Sequence, residues 1–132
     1  MKLSFLWSFT PTGVLLDNNH DGAVDGVAAC IVALTPERFS PAVWAAAANL
    51  AARIGLESPA LRLPLAVKLD AVQDWQIPLL LSVGDAPPRV DRTPWAELTA
   101  QTPAHDDDGV EIAWLTDNAH RALRIHAVDA AA

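Results

Sequence analysis

An alanine-rich amphipathic segment preceded by an apolar run constrains the fold of this chain more than any other feature. Ser40 and Pro41 provide an N-cap and a proline at the first helical position, so we expect a helix over about residues 41–54 that ends at Gly55. Residues 27–34 are apolar throughout, as in a strand covered on both faces. This order of strand and helix predicts helices packed on a sheet.

Alternating or continuous apolar patterns predict the remaining strands. They cover residues 2–9, 27–34, 61–69, 77–83, 110–115 and 121–128. Thr93 and Pro94 favour a second, short helix at about residues 93–98. We therefore predict an α/β (α+β) fold, with a mixed sheet of about five to six strands, one main helix, one short helix and a C-terminal hairpin.

The length and composition predict one domain over residues 1–132. The 132 residues are 52% hydrophobic, which is enough to build a core, and no linker divides them. Asp129 is a good N-cap, and three alanines follow it. The sequence therefore leaves two interpretations open: an ordinary frayed terminus, or the N-terminal part of a longer protein whose next helix begins here.

The charge balance argues against several classes of partner. Sixteen acidic residues against nine basic ones give a net charge of −7, which repels nucleic acid and anionic lipid. No stretch approaches the roughly 20 apolar residues of a membrane span. The single Cys30 lies within the apolar run 27–34, so we expect a buried thiol and no internal disulfide. The partner that remains is another protein domain or subunit.

The most specific motif is the nine-residue segment 17–25, which has the pattern D-x-N-x-D-G-x-x-D. Calcium requires six to eight oxygen ligands, and a tight loop that turns at a glycine, here Gly22, presents oxygens from alternate positions. The candidate ligands are the side chains of Asp17, Asn19, Asp21 and Asp25 and the carbonyl of Ala23. The same residue types also form solvated hairpin turns, so calcium loop and simple turn both remain open.

This segment resembles calcium loops of the EF-hand and dockerin type, and more closely the loops between strands in FG-GAP, integrin-type propeller repeats. The resemblance covers nine of 132 residues, and the glutamate at the twelfth position of an EF-hand is replaced by Ala28. It implies calcium as the cofactor, in a strand–loop–strand setting. The whole chain also resembles the α/β accessory domains that precede catalytic domains in bacterial multidomain enzymes.

Other polar and aromatic residues have simpler interpretations. The acidic segment 105–108 is typical of a solvated loop, and His126 is expected on an outer strand face opposite Glu111 as a polar pair. Three tryptophans fall on predicted core faces, and two lie in connections where we expect them to cover the open end of the sheet. The first group is Trp7, Trp44 and Trp114, and the second is Trp75 and Trp95.

Two functional hypotheses follow. The first is a non-catalytic accessory or interaction domain, or a small subunit of a larger bacterial protein, with a structural calcium loop. The alternative is a small metal-dependent hydrolase that uses Asp17, Asp21, Asp25 and His20 around a divalent ion. The sequence favours the non-catalytic hypothesis, since it contains no recognisable nucleophile motif. A genuine calcium loop would indicate an extracytoplasmic location, and its absence a cytoplasmic one.

Overall fold

The computed structural model describes residues 7–10, 13–34, 41–57, 64–91, 93–101, 104–105 and 109–128. Within them the chain forms a six-stranded mixed sheet, a two-stranded sheet and one long helix, which confirms the predicted α/β class. The elements are β1 (Leu15–Leu16), β2 (Gly26–Val27), β3 (Ala29–Ala33), α1 (Pro41–Glu57), β4 (Ile77–Gly84), β5 (Thr99–Ala100), β6 (Ala104–His105), β7 (Val110–Thr116) and β8 (Arg121–Val128).

The larger sheet combines a parallel half with an antiparallel half. Its strand order is β3-β4-β8-β7-β5, and β6 also pairs with β7. Strands β3, β4 and β8 are parallel, whereas β7 is antiparallel to β8, β5 and β6. On the side of β3 that does not face β4, a parallel bridge joins Ile31 of β3 to Ala66. This bridge follows α1 in the chain, so β3, α1 and the bridge form a crossover of the β-α-β kind.

Strand β4 lies at the centre of the parallel half, and all eight of its residues are buried. It contains Pro78, although proline cannot donate a hydrogen bond to a ladder. The Ile77 N–H donates to the Ala28 carbonyl on the β3 side, so the nitrogen of Pro78 is directed toward the β8 side. Pairing with β8 begins only at Leu79. The proline therefore precedes that ladder and does not interrupt it.

The two faces of the sheet bury separate hydrophobic clusters. Because side chains alternate along a strand, Ala29 and Ile31 belong to the first cluster while Cys30 and Val32 belong to the second. Helix α1 covers the first face through Ile54, with Ala47, Leu50 and Ala51 packed beside it. The second face is covered by irregular segments, whose apolar residues are Val67, Leu69, Val72, Val90, Trp95 and Leu98.

Helix α1 differs from the prediction at its end and on its surface. It continues through Gly55 to Glu57, since a glycine inside a helix costs only about 1 kcal/mol relative to alanine. The ring of Trp44 is 47% exposed, so its assignment to the core was wrong. The buried stripe of the helix is narrower than the sequence pattern indicates. None of the helices in the described part of the chain is long and apolar enough to cross a membrane.

Two predicted elements differ from the structure in the described residues, and a third lies mostly outside them. In the described part of the predicted strand over residues 61–69, which begins at Pro64, pairing is limited to the bridge at Ala66, and residues Leu69–Ala71 form a 3-10 helix. Pro64, which cannot donate to a ladder, precedes the two residues whose backbones bond β3. The short helix at about residues 93–98 is a 3-10 helix over Trp95–Glu97. Of the strand over residues 2–9, only the last residues are described, and Phe9 bridges to Leu15.

The C-terminal hairpin is confirmed, and its turn is fixed by Asp117. The Oδ1 atom of Asp117 accepts hydrogen bonds from the backbone N–H groups of Ala119 (2.7 Å) and His120 (2.6 Å). These two donors, ahead of the smaller effect of the His120 ring, lower the pKa of Asp117 below its usual value. In this arrangement Ile112 and Trp114 of β7 share the first cluster with Leu123 of β8, as the sequence predicts.

A buried polar pair joins the two central parallel strands on the second face. Ser82 of β4 is directly opposite His126 of β8, and the two are only 3% and 1% exposed. The Ser82 hydroxyl and His126 Nδ1 are 2.8 Å apart, and His126 Nε2 is 3.1 Å from the Gly84 carbonyl. A carbonyl only accepts, so Nε2 donates to it, and in the matching tautomer Nδ1 accepts from the Ser82 hydroxyl. The predicted register with Glu111 is confirmed, but the predicted outer position of His126 was wrong.

We predict that Ser82→Ala lowers the free energy of unfolding by about 1–3 kcal/mol, because it leaves a buried acceptor on His126 without its donor. Urea denaturation followed by circular dichroism measures the change. Gln101→Ala, which truncates an exposed side chain, serves as the control and should stay within about 0.5 kcal/mol of the unmodified chain. A Ser82→Ala variant as stable as this control would contradict the role assigned to the pair.

The thiol of Cys30 is buried in the second cluster, as the sequence predicts. Burial raises its pKa from 9.0 to about 12, because the thiolate would lose its hydration. The folded state therefore favours the neutral thiol, and the resulting stability is present below pH 9 and is lost as the pH rises toward 12.

We expect Cys30 to resist labelling by an aromatic disulfide reagent at pH 8, where an exposed thiol reacts readily. In denaturant the same chain should label completely, and the labelling rate in native buffer should follow the unfolding rate. Absorbance of the released thiolate measures both reactions. Rapid labelling of the folded protein, with circular dichroism unchanged, would show that the thiol is accessible.

Candidate metal centre

The segment 17–25 connects the antiparallel strands β1 and β2, so the predicted strand–loop–strand setting is present. Two hydrogen bonds close its ends. The Asp25 N–H donates to the Leu16 carbonyl (2.7 Å), and the Asn18 N–H donates to Asp25 Oδ2 (2.7 Å). Below the loop, the Ala28 N–H donates to the Val14 carbonyl (2.8 Å), which joins the hairpin to the start of β3. The loop is thus a closed ring anchored on two strands.

Asp17 organises the interior of this ring. Its Oδ1 atom accepts from the N–H of Asp21 (3.1 Å), and its Oδ2 atom accepts from the N–H of Gly22 (2.8 Å). Asp21 in turn accepts from the N–H of Ala23 at Oδ1 (2.8 Å). These bonds fold the backbone around the carboxylates. One oxygen from each of Asp17, Asp21 and Asp25 lies within 4.8 Å of the others.

Asn19 lies beside this group and holds Asp21. Its amide nitrogen donates to Asp21 Oδ2 (3.0 Å), and its amide oxygen is 3.3 Å from the Asp21 N–H. Asp21 is therefore bonded through both of its carboxylate oxygens. The structure brings together the three predicted aspartates, whereas the roles of the Asn19 oxygen and the Ala23 carbonyl as ligands stay predictions.

The loop backbone enters the left-handed region at two positions. Gly22 has a φ of +83°, and His20 has a φ of +59°. Glycine adopts this conformation without steric cost, and histidine is one of the few other residues that visit it. A Cβ atom added at Gly22 would meet nothing within 4 Å. The requirement for glycine therefore comes from the backbone conformation and not from lack of space.

Three carboxylates this close favour a bound cation on electrostatic grounds. Two unit negative charges 4–5 Å apart repel each other by roughly 1 kcal/mol even at the dielectric constant of water. The surrounding backbone N–H groups offset part of this repulsion. The donor set consists of oxygen atoms, which suits a hard divalent cation and not a soft metal. The cluster can therefore bind a metal ion, with Asp17, Asp21 and Asp25 as its charged ligands.

Two other polar features were named in the sequence: His20 and the acidic segment 105–108. His20, named in the hydrolase alternative, has an exposed side chain at the tip of the loop. Asp106, Asp107 and Asp108 of the second acidic segment lie outside the described residues.

A cavity that the sequence did not predict lies on the second face of the sheet. Its volume is about 280 Å³, and its lining includes Trp95, Leu115 and Arg124. The signal for it was indirect: Trp95 follows a proline, and Arg124 alternates with apolar residues along β8. None of the residues of the loop 17–25 lines this cavity. The acidic cluster and the cavity are therefore separate features.

Comparisons of this chain with protein-family models, with curated proteins and with solved structures found no match. The resemblance of the loop to EF-hand, dockerin and FG-GAP loops therefore rests on the pattern of nine residues alone.

We predict that Gly22→Ala lowers the free energy of unfolding by about 1–2 kcal/mol, since alanine is strained at positive φ. Gly22→Asn should cost less, because asparagine visits the left-handed region more readily. Urea titrations in the presence of a chelator measure both effects on the loop backbone without contribution from metal. Equal losses for the two variants would argue against a left-handed residue at this position.

Proposed function

We propose that this protein is a non-catalytic accessory or interaction domain, or a small subunit of a larger bacterial protein, and that its loop 17–25 holds one structural calcium ion. The observation that supports this proposal is the convergence of three carboxylates within 4.8 Å inside a ring closed by its own backbone bonds. Asn19 and the Ala23 carbonyl would complete the oxygen set, and solvent would supply the remaining ligands.

The position of the loop supports a structural role over a catalytic one. A catalytic metal needs an open coordination position beside a substrate cleft. Here the carboxylates accept bonds from the backbone of their own loop, and the cavity on the second face has no loop residue in its lining. An ion in this place would neutralise the carboxylates and fix β1 against β2. That stabilises the hairpin and, through Val14 and Leu16, its contact with the first cluster.

One exposed aromatic side chain supports the interaction part of the proposal. Trp75, in the connection before β4, is 52% exposed. Tryptophan is enriched among the residues that contribute most to binding at protein interfaces. We also propose an extracytoplasmic location for the protein if the loop binds calcium. Extracellular calcium modules bind the ion with Kd values of about 10⁻⁴–10⁻³ M.

We expect calcium to raise the melting temperature of the protein and to bind one ion per chain in isothermal titration. At a calcium concentration of 100 times Kd, the free energy of unfolding should rise by about 2.7 kcal/mol. Asp21→Asn should abolish both effects, because it removes a charged ligand while keeping the shape of the side chain. The matched control is Asp74→Asn, which changes an exposed aspartate outside the loop and should leave both effects unchanged.

The hydrolase alternative predicts a different pattern. Tight zinc binding with weak calcium binding would favour catalysis and would contradict a structural calcium loop. A lack of response to any divalent cation, or an equal response in Asp21→Asn and Asp74→Asn, would leave only a solvated turn at this position.

A further inference from the structure

The cavity on the second face is lined partly by packed side chains. Trp95 is 3% exposed, and its ring meets the ring of His120 edge to face at 5.5 Å. Leu115 of β7 is also buried, in the second cluster. Pro87, Pro88 and Val90 line the cavity too and are only half-buried, and the φ angles of the two prolines are locked by their rings. These fixed residues limit the ordering that a ligand would impose on entering the cavity.

Two arginines line the same cavity. Arg89 is exposed in the connection after β4, and Arg124 projects from β8 with 21% of its side chain exposed. Arg124 Nη2 donates to Glu111 Oε1 at 2.5 Å, which fixes the guanidinium in place. The guanidinium has five N–H donors, and one of them is used in the bond to Glu111. Its Nη groups therefore retain donor capacity beyond the ion pair, whereas the Nε atom is shielded from solvent.

The charged residues that line the cavity are both arginines, in a chain whose net charge is −7. The charge of Arg124 is offset by its ion pair with Glu111, which leaves the charge of Arg89 to attract an anion, and a monoanion matches it. The planar guanidinium fits a planar carboxylate, and the apolar residues of the lining favour an apolar body next to that carboxylate.

We propose that this cavity binds a small monocarboxylate whose apolar body lies against Pro87, Pro88 and Val90 and whose carboxylate lies between Arg89 and Arg124. A volume of about 280 Å³ equals the liquid volume of about nine water molecules, which suits a ligand of about nine or ten non-hydrogen atoms. The proposal does not depend on the calcium loop, because none of the loop residues lines the cavity.

The test uses benzoate as the probe, because it has nine non-hydrogen atoms and a single negative charge. Two-dimensional ¹H–¹⁵N spectra are recorded during titration at constant ionic strength, with and without chelator. We expect the largest shifts in residues 87–98 and in the indole N–H of Trp95, with a Kd of about 1–10 mM. Benzamide, which is neutral and of the same shape, should bind at least about fivefold more weakly.

Two variants separate the charge from the shape of the site. Arg89→Gln removes an exposed charge and should raise the Kd for benzoate by about fivefold while leaving the fold intact. Ala96→Phe adds a ring at an exposed residue of the lining and should abolish binding by filling the cavity. Arg53→Gln, on α1 at the other face, is the matched control and should bind benzoate with unchanged Kd.

Several results would overturn the proposal. Benzoate and benzamide binding equally would show that the arginines do not recognise the carboxylate. An unchanged Kd in Arg89→Gln, or benzoate shifts that map outside residues 87–98 and β8, would place the ligand elsewhere. Tighter binding of inorganic phosphate than of benzoate would assign the site to another class of anion. The absence of any shift at about ten times the expected Kd would show that the cavity does not bind small carboxylates.

Discussion

The parallel pairing of β4 with β3 on one side and β8 on the other is the constraint on which the rest of this structure depends. Strand β4 is buried along its whole length, so both of its faces and both of its edges need partners. Those partners come from residues 29–33 and from residues 123–128, which lie far from β4 in the sequence. Parallel strands require long connections, and here α1, the 3-10 helices and strands β5, β6 and β7 all lie in those connections.

The two faces of the sheet are covered in different ways, and this difference explains where the unusual chemistry lies. Helix α1 covers the first face, and the cluster beneath it is apolar. The second face is covered by irregular segments, which fill space less regularly than a helix and leave a cavity there. Polar side chains of β4, β7 and β8 lie on this face: Ser82, Glu111, Arg124 and His126. Ser82 bonds His126 and Arg124 bonds Glu111, which offsets most of the cost of burying these groups, although Nε of Arg124 has no partner among the described residues.

The sequence predicts the elements of the fold better than their environment. Periodicity is sufficient to locate α1, β4 and the hairpin, because those segments have strong and uninterrupted patterns. It overestimates the strand over residues 64–69, the described part of the predicted strand 61–69, because apolar alternation does not show that Pro64 and the 3-10 helix at Leu69–Ala71 limit the pairing there to one bridge. The burial of His126 depends on Ser82, which lies 44 residues earlier in the chain, and no local pattern contains that distance.

The loop 17–25 could be predicted from neighbouring residues in the sequence, whereas the cavity could not. The loop 17–25 is nearly self-contained: its hydrogen bonds join residues within it or at its ends, so its residue spacing was enough to predict the convergence of three aspartates. The cavity is assembled from four separate parts of the chain, and it could not be predicted from the sequence. The position of Arg124 in the sequence of β8 does not show that residues of the segments 87–90 and 95–100 line the same cavity.

The hairpin that carries the loop and the strand that carries Arg124 are connected through one side chain. Arg121 of β8 donates from Nη2 to the Gly13 carbonyl (2.8 Å), and its guanidinium lies 5.0 Å from the centre of the Trp114 ring. Burial lowers the pKa of Arg121, but arginine titrates so far above neutrality that the group stays charged. The β1–β2 hairpin packs on the first face, whereas Arg124 lies on the second. An ion in the loop would therefore act on β8 through Gly13 and Arg121, on the face of the sheet opposite the cavity, without contacting the cavity lining.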